Sequence, residues 1–325
     1  MDGSKIEWTD ATWNPIRGCS RVSEGCRHCY AERVAARFNW PVPDDGMENL
    51  EKGLPPSKAG PYHGLAAMTK DGPRWTGEVR FVEDKLDAPL RWKKPRRIFV
   101  NSMSDLFHEK VPDKWIDLIF AVMALAPKHT FQVLTKRPER MLSYFSVGNC
   151  IYGCINDATR PQKHRTVSCW WPLPNVWLGV SVEDQATADK RIPLLLQTPT
   201  AVRWVSYEPA LGPIDLHQVP PGGALPIGSQ GVARDGLDWI VVGGESGPGA
   251  RPFDLAWARA VVAQGKAAGV PVFVKQLGAQ PFERMISRGH PFFMTYKNKK
   301  GGDPAEWPED LRVREYPKEG VCATS

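Results

Sequence analysis

The chain has 325 residues, 42% hydrophobic and 24% charged, enough apolar material for a full core, which excludes a disordered chain and suits one large domain with insertions or two modest ones. No stretch approaches the roughly 18 apolar residues of a membrane span, and the opening MDGSKIEWTD lacks the basic-then-apolar layout of a secretory signal, so a cytoplasmic protein with no membrane association is expected. A net charge of +6 favours a polyanionic partner; RWKKPRR (Arg91 to Arg97), YKNKK (Tyr296 to Lys300) and thirteen tryptophans could serve one, although solvated surface and core aromatics explain the same residues more simply.

In chain order, KIEWTDATWNP (5–15) leads into GCSRVSEGCRHCYAERVAARF, where a helix is expected right after Cys29. Residues 38–80 are rich in Pro and Gly and read as a long excursion. Six short apolar, β-branched runs follow: RIFVN (97–101), TFQVLT (130–135), VWLGVSV (176–182), VRWVSY (202–207), WIVVGG (239–244) and PVFVKQ (271–276). Continuous rather than alternating apolarity marks strands covered on both faces, as in a parallel sheet. Helical patterns lie between them at Asp113 to Ala126, Pro138 to Phe145, Asp184 to Gln197 and Asp254 to Ala268, the last closed by Gly269. The stretch 217–237 holds PPGGALPIGSQG where a helix would be expected, a loop or lid candidate.

Strands alternating with helices imply right-handed βαβ units. Nearly every strand ends in chemically capable side chains: NSMSD (101–105), LTKR (134–137), SVED (181–184), YEP (207–209), GGES (243–246) and KQ (275–276). In β/α barrels active sites lie at those carboxyl ends, so the clusters are expected to converge on one mouth. The expected architecture is α/β: a parallel β/α barrel or partial barrel over residues 1–278, with insertions at about 38–80, 146–174 and 217–237, and a C-terminal extension, 279–325, packing on the barrel.

The seven cysteines divide into a tight set, Cys19, Cys26 and Cys29, a looser set, Cys150, Cys154 and Cys169, and Cys322 in the tail. In a reducing compartment a tight cluster points to metal rather than disulfides. Three thiolates are one short of a structural zinc site or an ordinary iron–sulfur cluster. A 4Fe–4S cluster held by three thiolates keeps one iron open for the amino and carboxylate groups of a cofactor's methionine part. Gly18 and Gly25, each preceding a cysteine, would let backbone approach the inorganic sulfides. The competing reading is zinc, with His28 or a distant residue as fourth ligand. Cys150, Cys154, His164 and Cys169 have a ligand count suited to a second zinc, with free buried cysteines as the simpler account.

The opening IEWTDATWNPIRGCSRVSEGCRHCYAERVA, with NSMSDLFHE (101–109), VLTKRPERM (133–141), VWLGVSVED (176–184), VSYEPALGPI (205–214), VVGGESGPGARP (241–252) and VFVKQLG (272–278), resembles the phage three-cysteine-motif family. That family looks like a divergent branch of the radical S-adenosylmethionine superfamily; the usual spacing there is x3 then x2, against x6 then x2 here. The resemblance implies a 4Fe–4S cluster on Cys19, Cys26 and Cys29 and S-adenosylmethionine as cofactor. It implies that Asn101, Ser102, Ser104 and Asp105 receive the methionine amino group, that Ser181 and Glu183 lie near the ribose or carboxylate, that Gly243 and Gly244 form a cofactor shelf, and that Tyr30 lines the adenine side.

Lys136, Glu208, Glu245 and Lys275, with Arg137 and Arg251, are then the candidate catalytic groups, holding substrate or moving protons around a substrate radical; for Glu208 and Glu245 a buried salt bridge is an equal alternative. The implied function is generation of a 5′-deoxyadenosyl radical that modifies or repairs a substrate, with DNA or a nucleotide as candidate, a flavodoxin or ferredoxin as reductant and a phage-encoded protein as possible partner. Two rivals stand beside it: a cluster- or zinc-stabilised nucleic-acid-binding protein without radical chemistry, and a metal-dependent nuclease using Asp105, Glu183, Glu208 and Glu245.

Overall fold

The computed structural model describes residues 4, 6–41, 59–146, 171–220, 223–224, 236–284 and 291–317. Cys150, Cys154, His164, Cys169 and Cys322, and most of the 146–174 and 217–237 insertions, lie outside the described residues.

Seven strands form one parallel sheet: β1 (Ala11–Trp13), β2 (Arg97–Val100), β3 (Thr130–Thr135), β4 (Val176–Val182), β5 (Val202–Tyr207), β6 (Trp239–Gly243) and β7 (Val272–Gln276). Their order in the sheet is their order in the chain. That is the topology of a β/α barrel, curled here into a half-barrel whose first and last strands do not pair. The six apolar runs fold as strands nearly over their full length. β1, in the segment that leads into the cysteine loop, is a three-residue strand that pairs Trp13 with Val100, too short to stand out as an apolar run. Within the 38–80 excursion the chain also makes a hairpin, Ala66–Thr69 with Gly72–Trp75.

Alternation along the strands separates two cores. Outward residues such as Ile98, Val133, Leu178, Val180, Val205, Ile240 and Val274 pack with the helices α2 (Asp113–Leu125), α3 (Pro138–Ser146), α4 (Gln185–Gln197) and α5 (Leu255–Ala268). On the concave side Trp177, Trp204, Trp239, Val241 and Phe273 meet Trp8, with Phe99, Leu134 and Tyr316 against them. Trp8 stands edge-on to Phe99, Trp204 and Trp239 at centroid separations of 4.8, 5.2 and 6.2 Å, the geometry aromatic quadrupoles favour.

A short antiparallel segment completes the sheet at β7. Val274 N–H donates to Val313 O at 2.8 Å and Glu315 N–H to Val272 O at 2.9 Å. The next residue, Tyr316, stacks on Trp239, and the Arg97 guanidinium lies 3.9 Å above its ring. Because Arg97 opens β2 and pairs with Asp10 just before β1, this segment bridges the seam between the sheet's two ends. No helix among the described residues is long and apolar enough to cross a membrane.

Candidate active site

At the carboxyl ends of the strands a cavity of about 580 Å³ opens, within the size range of cofactor and substrate pockets. Trp8, Phe99 and Leu134, the top of the concave aromatic core, line its deep side. Its opposite wall is the loop between β1 and α1 (Tyr30–Arg37), and the thiols Cys19, Cys26 and Cys29 all face this one space.

The cysteine loop is stitched across the mouth by side chains from successive strand ends. At β2, Gly18 bridges to Ser104, the Ser104 hydroxyl donates to Ile16 O at 3.0 Å, and Tyr30 OH donates to Ser102 O at 2.7 Å. At β3, the Arg137 guanidinium donates to Ser20 Oγ at 2.7 Å and lies 3.9 Å from Cys19 Sγ. At β4, Glu183 accepts from Ser23 Oγ at 3.0 Å. At β6, Glu245 contacts His28 Nδ1 at 3.0 Å and is clasped by Arg251 through Nε at 3.0 Å and Nη2 at 2.8 Å. From below, Glu32 on α1 holds Arg21 and accepts from Trp75 N–H at 2.8 Å.

These contacts set the charges. Burial raises the Glu183 pKa, but the cations of Lys136 and Arg191 outweigh it and hold the carboxyl below the ordinary range. Burial likewise opposes ionisation of Glu245, and Arg251 reverses the balance. Cys19 goes the other way: desolvation and the nearby Asp105 carboxylate push its thiol up to about 12 against the opposing pull of Arg137, and burial raises Cys29 as well.

Of the residues expected at the site, Tyr30, Asn101, Ser102, Ser104, Asp105, Lys136, Ser181, Glu208, Gly244, Glu245 and Lys275 line the cavity together with the three cysteines. Glu183 and Gly243 are not in its lining. Glu183 is buried behind Lys136, which bonds both it and Ser181. A Cβ on Gly243 would lie 2.6 Å from Glu208 Oε1, so this glycine makes room for the Glu208 carboxylate. Similarly, a Cβ on Gly18 would strike Glu78 O at 2.1 Å and one on Gly25 would strike Glu183 Oε1 at 2.3 Å; both glycines make room for protein atoms.

Several of the β2-end groups already have partners. Asp105 accepts from Thr135 Oγ1 at 2.7 Å, Phe107 N–H at 3.0 Å, Lys136 N–H at 3.1 Å and Arg137 Nη1 at 3.0 Å. Ser102 donates to Asn14 Oδ1 at 3.2 Å. Asn101, at φ 58°, keeps a buried Nδ2 with no acceptor among the described residues. On the far wall, Lys275 Nζ lies 3.1 Å from Glu208 Oε1 without hydrogen-bond geometry, while Ser206 Oγ donates to Glu208 Oε2 at 3.1 Å.

A nuclease centre on Asp105, Glu183, Glu208 and Glu245 is not assembled: each of the four is paired to an arginine or a lysine. Among the described residues no three His, Cys, Asp or Glu side chains converge where a single ion would sit, and His28 is turned to Glu245. Sequence reasoning missed Trp8, Ser20, Ser23, Arg191 and Ser206. None carries a local signal, since Arg191 lies within α4 and reaches Glu183 Oε2, at 3.0 Å, only through the fold.

No curated protein and no solved structure matches the chain. A model of the family described as a protein of unknown function (DUF5131) matches residues 3–303. With a match over most of its length, the chain belongs to the DUF5131 family.

Proposed function

We propose that this protein is an iron–sulfur enzyme of the radical S-adenosylmethionine type that acts on a nucleobase-bearing substrate. The observation that carries the proposal is the convergence of three thiols from one loop on a single cavity at the carboxyl-end mouth of a parallel half-barrel. The donor set fits a 4Fe–4S cluster better than a lone ion. In a cubane each thiolate takes a separate iron, so the sulfurs stand farther apart than around one metal, and three thiolates leave one iron open. Bound there with S-adenosylmethionine, such a cluster supplies the electron that releases a 5′-deoxyadenosyl radical.

The chain's own residues do the rest. Cys19, Cys26 and Cys29 would hold the cluster, and the Arg137 guanidinium beside Cys19 offsets part of the burial that otherwise keeps its thiol protonated. Asn101 Nδ2 offers an unused donor to a cofactor acceptor. Glu208 and Lys275 present an acceptor beside a donor on the far wall, an edge complementary to the adjacent N–H and C=O of a base. Trp8 and Phe99 supply an apolar, water-excluding side for its ring. Lys136, tied to Glu183, positions Ser181 at the cavity wall.

The test is anaerobic reconstitution with iron and sulfide, reduction, and assay for 5′-deoxyadenosine. The expected result is about four irons per chain and 5′-deoxyadenosine formation that is lost when Cys26 is replaced by Ala. A reconstituted, iron-loaded protein that never cleaves S-adenosylmethionine would sink the reading and favour a cluster-stabilised binding protein, for which the extensive bracing of the loop also speaks.

A further inference from the structure

The basic run Tyr296–Lys300 lies beside the mouth. Leu277 N–H at the end of β7 and the Trp307 indole N–H both donate to Gly301 O, at 2.8 and 2.9 Å. Asn298 Oδ1 accepts from Lys300 N–H at 3.0 Å, and Asn298 O accepts from Gly301 N–H at 2.7 Å. The run is therefore a fixed turn bolted to the barrel rim. Lys297, Lys299 and Lys300 are exposed. The carboxylate beside them, Glu306, accepts from the backbone N–H of Lys297 and Asn298 at 3.1 Å each, and among the described residues it makes no ion pair with an ammonium.

Two cavities meet at this turn. The main one reaches Gly247 and Lys300; a second, of about 400 Å³, is lined by Gly247, Asn298 and Lys299 and runs to Met294. Just before Met294 runs the strand Pro291–Phe293, where alternation sends Phe293 against the Phe282 ring, at a centroid distance of 5.5 Å, and leaves Phe292, 52% exposed, on the face that Met294 and Pro281 share with the second cavity. Cations at the rim, an aromatic face beyond and a deep pocket behind are the ingredients of single-strand recognition: ammonium groups track the phosphates and a base stacks on the ring. A mononucleotide inside the main cavity would not extend along the second. A base held in a duplex could not enter the first without leaving its stack.

We propose that the mouth continues into a track for a single-stranded polynucleotide, in which Lys297, Lys299 and Lys300 hold phosphates, Phe292 stacks a base, and one nucleotide turns inward to the main cavity. Only that last point rests on the enzymatic reading; the track itself does not.

The experiment is fluorescence anisotropy of the reconstituted protein with short labelled deoxy and ribo single strands, the matching duplex and a polyphosphate competitor, over a range of salt. Tight binding of either single strand, weaker binding of the duplex and a steep salt dependence are expected. Lys297→Glu, Lys299→Glu and Lys300→Glu together should flatten the log–log salt slope by about two. Phe292→Ala should weaken binding about tenfold with the slope retained. The proposal is overturned if no single strand binds, if the duplex binds as tightly, if polyphosphate competes as well as the strand, or if the charge reversals leave slope and affinity unchanged. Measuring 5′-deoxyadenosine in the same preparation separates the two ideas: binding without cleavage sinks the radical chemistry alone, and cleavage without binding sinks the track alone.

Discussion

Glu183 shows how the mouth employs its charges. Its side chain is 2% exposed and lies between Lys136 and Arg191, with the Ser23 hydroxyl as a third partner. Ionised, it ties the cysteine loop to β4; protonated, it leaves two buried cations short of a counter-charge. The folded carboxyl titrates below its ordinary value of 4.5, so its stabilisation is fully present above that pH and is lost as pH falls through the lower folded value. Glu245 acts with the same sign. Acid unfolding is therefore expected to set in below pH 4.5, and Glu183→Gln should lower stability at pH 7 while making the acid limb of a urea-midpoint-against-pH curve shallower. An acid limb identical to that of the native protein would show that this carboxylate does not govern it. The chemical types at the strand ends are legible in the sequence, because barrel topology sends them all to one mouth. Their employment is not: His28 and Glu245 are 217 residues apart, and nothing local says that a carboxylate at a strand end braces a loop instead of meeting a substrate.

Among the elements, those with a continuous apolar run or a full helical period are legible almost to the residue, β3, β4 and β5 with the bounds their sequence suggests. Local rules agree with the tertiary fold there. Asp184 is an N-cap that accepts from Thr187 N–H at 2.9 Å while Thr187 Oγ1 accepts from Asp184 N–H at 3.0 Å, a reciprocal capping box opening α4. Gly269, at φ 67°, ends α5. Where bounds are not legible the reason is length or pairing: β1 has three residues, and the Ala66–Thr69 hairpin hides in a Pro- and Gly-rich stretch. Asp184→Ala is expected to cost about 1 kcal/mol, read as a lowered urea midpoint at constant m-value. Since α4 carries Arg191 to Glu183, a larger loss would mean that the cap also positions the mouth.

At the scale of the molecule, a half-barrel has the problem that its concave aromatic core lies open along one side. Tyr316 covers that side, at centroid distances of 5.5 Å from Trp239 and 5.3 Å from Phe273 and under the Arg97 guanidinium. Tyr316→Ala should lower stability by about 2 kcal/mol and shift tryptophan emission to the red as water reaches Trp239. Loss of stability without a spectral shift would place the stabilisation elsewhere than at the seam.

The same latch gives synthesis an order. Strands paired in chain sequence can assemble one after another as they leave the ribosome, yet the indole cluster between them stays wet until residues 313–316 emerge. A nascent chain stalled before that point exposes a sticky, half-dried interior, so quality control would meet this protein chiefly in the interval before the latch closes.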